Sequence, residues 1–252
     1  LRETESVEAQ EQTVILSEPD EADLETLRRN LAFVYPHAAA AALPSKVTAT
    51  GLKDRAEADP DAKSVAPKPH RPFRLPDFTR ATRPLTGAER GTATHLVLQC
   101  MDFSKTGSVE AIRAEIERLR EAQFLSAWEA EAVDAEAIAK LFASPLGRRM
   151  LAAPAMRREF KFSLLCPAED FFAGGEGEEL LLQGVVDLCI EEHGELTIID
   201  FKTDARIEPR EHTAQLAAYA EAMGRILRKP VRGAILWYIR KRTAVDADIG
   251  AE

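Results

Sequence analysis

The spacing of apolar and polar positions changes character along the chain. Thr86-Gly-Ala-Glu89 has the capping-box arrangement, in which each side chain satisfies the other's backbone donor, and it predicts a helix running to about Met101. Ala-, Glu-, Leu- and Arg-rich segments predict further helices over 109–122, 127–142 and 145–152. From Met156 the period drops to two, with Phe160, Phe162 and Leu164 alternating with Lys161 and Ser163, as in a strand. Leu180 to Glu191 and Glu195 to Thr203 are two more strand-like runs, separated by Glu192-His193-Gly194. A helix is predicted over 211–228, with Leu216, Ala220, Met223 and Leu227 on one stripe, followed by a last strand from Val231 to Ile239. Strand, strand, strand, helix, strand, with helices in front, predicts an α/β fold: a mixed central β-sheet flanked by helices, preceded by an all-helical segment.

Nearer the amino terminus, Asp23 to Tyr35 reads as a helix ending before Pro36. Residues 55–85 hold Pro60, Pro67, Pro69, Pro72, Pro76 and Pro84, which predicts an extended loop or linker. The organisation expected is an acidic tail or linker over 1–30 and one domain over 31–252. Within that domain 31–155 is mainly helix and loop, and 156–245 is the α/β core. The first residues, LRETESVEAQ, lack both an initiator Met and an apolar signal core, so the chain is expected to be a piece of a longer polypeptide.

Composition narrows the function classes. In 252 residues, 45% hydrophobic and 30% charged content is that of a soluble globular domain. No apolar run reaches the roughly 18 residues a membrane span needs, so no membrane partner is expected, and the expected location is cytoplasmic. The three cysteines, Cys100, Cys166 and Cys189, are far apart, which excludes a four-cysteine zinc or iron–sulfur site within this chain. No G-x-x-x-x-G-K-[ST] loop occurs, so ATP is not expected to bind this fragment. A net charge of −9 argues at first against a nucleic-acid partner, yet residues 1–30 alone carry −6 of it. Arg225 to Arg242 holds seven basic residues and no acidic one, and Lys68 to Arg90 holds six basic against two acidic.

Counting outward from a two-residue His193–Gly194 turn places Asp187 directly opposite Asp200. Like charges so paired repel, and a divalent cation between them supplies the reason to keep them. Lys202, two residues past Asp200, shares its face, with Ile198 and Cys189 continuing that face inward. Acid-x-Lys occurs three times, at Asp61–Lys63, Glu159–Lys161 and Asp200–Lys202, and only the third has a strand, a turn and a second carboxylate upstream. Hard oxygen ligands suit Mg2+ or Mn2+, and a neighbouring Lys can orient an attacking water, so the chemistry suggested is phosphodiester hydrolysis.

Gly184-Val-Val-Asp187, Ile199-Asp200-Phe201-Lys202-Thr203-Asp204, Gln215-Leu-Ala-Ala-Tyr219 and the preceding Gly91-Thr-Ala-Thr-His95 together resemble the RecB-type nuclease branch of the PD-(D/E)xK superfamily. Tyr35-Pro36, Leu43-Pro-Ser-Lys46 and Arg158-Glu159-Phe160 are most similar to the carboxy-terminal nuclease domain of AddA subunits of bacterial AddAB helicase–nucleases. The resemblance implies a restriction-endonuclease-like core. It also implies metal binding by His95, Asp187, Asp200 and the Phe201 main-chain carbonyl, and catalysis by Asp187, Asp200 and Lys202, with Glu159 at an acidic position of less defined role. Gln215 and Tyr219 would position DNA or brace the helix. Phe201 stands where Tyr is common, with a side chain expected to point away from the metal. The activity implied is a metal-dependent exodeoxyribonuclease acting on single-stranded DNA in double-strand-break repair and recombination. The strand would be fed by helicase domains of the same polypeptide. The partner implied is a second helicase–nuclease subunit, and no iron–sulfur cluster is implied. A catalytically silent nuclease-like module that binds DNA or a partner subunit is the alternative.

Overall fold

The computed structural model describes residues 20–33, 35, 37–56, 85–204 and 206–249; the acidic tail before Asp20 and most of the proline-rich stretch lie outside them. The chain divides into two compact units, Leu1–Leu43 and Pro44–Glu252. In the first, helix α1 (Glu21–Leu31) is started by the Asp20 carboxylate, which accepts from the Asp23 N–H at 2.7 Å, and α2 (Ala38–Ala42) follows.

The second unit opens with strand β1 (Lys46–Thr48) and helix α3 (Ala49–Ala56), neither of which the sequence pattern announces. Helix α4 (Gly87–Cys100) carries the expected Thr86–Glu89 capping box. Helix α5 (Val109–Glu121) also matches expectation, but the single helix expected over 127–142 is two, α6 (Ala127–Ala132) and α7 (Ala135–Ala143). The break has a local cause: Val133 is extended, and Asp134 starts a new helix by accepting from the Ala137 N–H at 2.9 Å. Pro at the first turn suits α8 (Pro145–Ala152).

Strands β2 (Ala155–Pro167), β3 (Glu179–Glu192) and β4 (Glu195–Lys202) follow, then helix α9 (Thr213–Leu227), β5 (Val231–Tyr238) and β6 (Thr243–Ala247). β6 is an addition to the expected elements: Arg242, at φ 56°, turns the chain back antiparallel to β5. The β3–β4 turn is as expected, with positive φ at both His193 (53°) and Gly194 (83°), the type I′ conformation that matches strand twist. The α9 stripe differs from the expected one. Gln215, Leu216, Tyr219, Ala222 and Met223 are buried, whereas Ala220 and Leu227 are half-buried at its margin.

The sheet order is β1-β3-β4-β5-β6, with β2 antiparallel along the other edge of β3. β3 shares its first edge between two neighbours: β1 pairs in parallel with Leu181–Gln183, and β4 pairs antiparallel with Leu188–Glu192. Residues 184–187 between these ladders form a fork in the sheet. Ile199, Phe201, Ile235 and Trp237 pack with residues of α4, α5, α7 and α8 in one apolar cluster. The opposite face of β4 carries Asp200 and Lys202 toward α9, which also packs on α3. Each Leu or Ile fully buried there contributes about 1.5–3 kcal/mol, so both faces of β4 resist displacement.

Candidate active site

Three close contacts place α4, and with it His95. A Cβ at Gly91 would lie 2.7 Å from Thr203 Oγ1, so α4 comes this close to the end of β4 only because position 91 has no side chain and Thr203 need not move. The Arg158 guanidinium donates to the Leu98 and Met101 carbonyls at 3.3 and 2.7 Å, with its carbon 4.5 Å from the centre of the Phe103 ring. A cation there satisfies carbonyls that the last helical turn leaves unpaired. From α5, Glu115 accepts from the Asp102 N–H (3.0 Å) and from Arg118, while Arg118 Nη2 donates to the Cys100 carbonyl at 3.2 Å. Gly91 and Arg158 fall within the quoted motifs, but what they hold, like the part played by Glu115 and Arg118, is not legible there because it depends on groups far along the chain.

His95, so held, puts Nδ1 3.4 Å from Asp187 Oδ2. The expected direct pairing of Asp187 with Asp200 is corrected: the β3–β4 ladder follows the predicted register from Glu192–Glu195 to Leu188–Ile199 and ends there, at the fork. Asp187 Oδ2 instead accepts the Phe201 N–H at 2.8 Å. On the other edge, the β2–β3 register runs through Arg158–Leu188 and Phe160–Val186 and skips Glu159–Asp187, where Glu159 takes φ 48°. The left-handed region costs a non-glycine residue about 1–2 kcal/mol, and this outlier turns the Glu159 carboxylate into the fork. His95, Glu159 and Asp187 each offer a ligand atom within 4.8 Å of the others'. The acid-x-Lys at Glu159–Lys161 therefore does have an acidic partner, Asp187, supplied by the strand that follows rather than precedes it.

Asp200 and Lys202 stand beside this cluster on the α9 side. Lys202 Nζ is 2.7 Å from Asp200 Oδ2, without the alignment of a directed hydrogen bond, and that buried oxygen accepts none. Lys202 Nζ also donates to Gln215 Oε1 at 3.3 Å, and Gln215 Nε2 donates to the Tyr219 hydroxyl at 2.8 Å. Glutamine and tyrosine thus share a helix face, as their spacing of four requires, and hold the lysine from behind. The Phe201 ring lies in the apolar cluster on the face of β4 opposite Asp200, where it meets the His95 imidazole edge-on, with centroids 6.3 Å apart. Trp237 is buried in the apolar cluster, and Trp128 is exposed on α6.

The electrostatics report crowded carboxylates. Burial raises the Asp200 pKa above the usual range, and Asp187 raises it further, while Lys202 pulls it back. Glu159 is raised by burial and by Asp187. For His95 the largest single influence, burial, lowers the pKa, but the Asp187 hydrogen bond and the charges of Asp187, Asp200 and Glu159 outweigh it and the net shift is upward. Three carboxylates and an imidazole in one corner, with one buried carboxylate oxygen lacking a directed donor, fit a hard divalent cation. A cavity of about 450 Å3, lined by Gly91, His95, Gln99, Glu159, Asp187 and Thr203 among others, opens the cluster to solvent.

The comparisons with known proteins agree with this corner's chemistry. The chain is 37% identical over 233 residues to the ATP-dependent helicase/nuclease A subunit of Desulforudis audaxviator, covering 87% of this chain and 19% of that protein. The protein of the same name from Moorella thermoacetica is 37% identical over 221 residues, covering 84% of this chain and 16% of its own length. The chain thus spans about a fifth or less of the curated relatives it matches. A sequence model of the PD-(D/E)XK nuclease superfamily matches residues 70–251, more than half of the chain, and the mixed sheet flanked by helices is the fold expected of it. The chain belongs to the PD-(D/E)XK nuclease superfamily.

Proposed function

We propose that this chain is a divalent-metal-dependent exodeoxyribonuclease, hydrolysing phosphodiester bonds of single-stranded DNA during double-strand-break repair and recombination. One observation carries the reading: the ligand atoms of His95, Glu159 and Asp187 converge within 4.8 Å, beside the buried Asp200–Lys202 pair. By the likeness to helicase/nuclease A subunits, helicase domains of a longer polypeptide deliver the strand, and a second subunit completes the complex.

His95, Asp187 and Asp200, with Glu159 and the Phe201 main-chain carbonyl, are the groups that would hold Mg2+ or Mn2+. When bound, such a cation supplies charge neutralisation at the scissile phosphate and makes a water more acidic. The protein's own part follows from its contacts. Phe201 N–H fixes the Asp187 carboxylate, and Gln215, steadied by Tyr219, fixes Lys202. The Lys202 ammonium orients the attacking water and stabilises the negative charge that develops on the phosphate oxygens. The same ammonium is the counter-ion of Asp200, so the lysine is preorganised before substrate arrives.

Cleavage of a 5′- or 3′-labelled single strand with Mn2+ or Mg2+, with EDTA as control, tests the proposal. Activity should require the cation and fall at least about a hundredfold in Asp200→Asn and in Lys202→Ala. Unchanged activity in either variant refutes the assignment. DNA binding without any cleavage would favour the silent-module alternative, although the lysine and carboxylates it would be expected to lack are all present.

A further inference from the structure

The run from Arg225 to Arg242 is one basic stretch in sequence and two separate groups in space. β5 lies between them, eight residues or about 26 Å of extended chain at about 3.3 Å per residue. At the amino end of β5 three of the four cations are answered locally, while Arg228 is exposed and among the described residues has no ion-pair or side-chain hydrogen-bond partner. Arg225 lies 3.5 Å from Glu221, Arg232 lies 3.7 Å from Glu195, and Lys229 is ion-paired with Glu191. The same end of the sheet carries Glu192, paired with Arg149 at 2.6 Å, so its charge is largely balanced.

The carboxyl end of β5 is different. Tyr238 is the register partner of Lys202, so the chain leaves β5 at the sheet end that holds the catalytic pair. Ile239 is buried in the apolar cluster and anchors a 3-10 turn, Ile239–Lys241. Arg240 and Lys241 on that turn are exposed, and among the described residues neither has an ion-pair or hydrogen-bond partner. Arg242, which follows, is already held at 3.9–4.0 Å by Asp134 and Glu136. Two unanswered cations on a turn anchored by buried Ile239, one strand over from Lys202, form a local positive patch at the sheet end that carries the Asp200–Lys202 pair, which stands beside the carboxylate corner. A polyanion approaching that corner needs such a patch to offset the acids it must pass.

We propose that Arg240 and Lys241 grip the phosphate backbone of the strand entering the His95–Glu159–Asp187 corner, and that the cations at the other end of β5 take no part. This rests on the nuclease reading and assigns its strand path. Binding of a fluorescein-labelled single-stranded oligonucleotide to the chain in EDTA, followed by anisotropy across a salt series, reads it without catalysis. The double variant Arg240→Gln/Lys241→Gln should bind roughly tenfold more weakly, with the log–log salt slope shallower by about 1.4, since each single-strand phosphate contact contributes about 0.7. The control Arg228→Gln/Arg232→Gln should bind within about twofold of the parent. Equal binding by the first variant, equal weakening by both, or no measurable binding by the parent would overturn the assignment. Metal-dependent cleavage that needs Asp200, together with unchanged binding in Arg240→Gln/Lys241→Gln, would overturn the path and leave the nuclease reading standing. Altered binding without any cleavage would do the reverse.

Discussion

Replacing Glu115 with Gln perturbs the clamp at the carboxyl end of α4 without touching the metal cluster. The Glu115 side chain is 3% exposed and accepts from Arg118 Nε and Nη2, the Asp102 N–H and Lys105 Nζ. The Arg118 hydrogen bond leads the causes that lower its pKa from 4.5 to about 2. At about 1.36 kcal/mol per unit, that difference sets a ceiling near 3 kcal/mol on the charge's contribution to folding. Arg118 and Lys105 are 45% and 57% exposed, so solvent screening reduces the figure to about 1–2 kcal/mol. At about 2–4 °C per kcal/mol for a domain of this size, Glu115→Gln should lower Tm by about 2–8 °C at pH 7.

The sign with pH follows from a depressed carboxylate. Its stabilisation is present in full above the unfolded value of 4.5 and is lost as pH falls through the folded value of about 2. The Tm gap between parent and variant should therefore be largest near neutrality and narrower at about pH 3.5, where the unfolded carboxyl is mostly protonated. Calorimetry at the two pH values measures it. A gap absent at pH 7, or of equal size at both, would refute the clamp.

Three further outcomes are expected. Asp187→Asn should weaken Mn2+ binding by at least about tenfold in calorimetric titration, because it removes the carboxylate shared by the ligand cluster and the Phe201 N–H; parent-like affinity would place the cation elsewhere. Mn2+ affinity of the parent should fall on acidification through a pH above 6.5, since His95 has a raised pKa and its imidazolium cannot ligate, and a pH-independent affinity between 6 and 8 would exclude His95 as a ligand. By the same shift, His95 stabilises the metal-free fold fully below 6.5 and loses that contribution as pH rises through its folded value. Gly147→Ala should destabilise by about 1–3 kcal/mol or more, because the new Cβ would lie 2.2 Å from the Leu141 carbonyl oxygen and 2.4 Å from Phe142 Cα, backbone atoms that cannot rotate aside; an unchanged urea midpoint would show that α7 and α8 separate freely.

Much of the site was legible in the sequence because its signals are local. The Thr86 capping box, the period-two runs and the His193–Gly194 turn each depend on residues a few positions apart, and they place α4, β3 and β4 correctly. Lys202 beside Asp200, and Gln215 beside Tyr219, follow from strand and helix periodicity alone. Signals that a residue's own neighbours do not carry were missed. β1 is three residues long and exists because β3 offers it an edge, and the α6–α7 break depends on one capping aspartate within a helical pattern.

What the sequence determined by itself was the set of chemical groups and their local order: an imidazole on a helix, two acids and a lysine on a hairpin, and a glutamine–tyrosine pair one helix later. Only the tertiary structure decided which of them meet. Register placed Asp187 opposite Asp200, but β3 changes partners between β1 and β4, so the ladder ends before that pair and the fork opens toward β2 instead. There Glu159, in a left-handed conformation that no pattern encodes, joins His95 and Asp187. The same holds for charge: one basic run became two groups because an eight-residue strand separates its ends, and only one end reaches Lys202. Covalent neighbours fix periodicity, whereas coordination needs groups brought together across the sheet, and that depends on which edges pair.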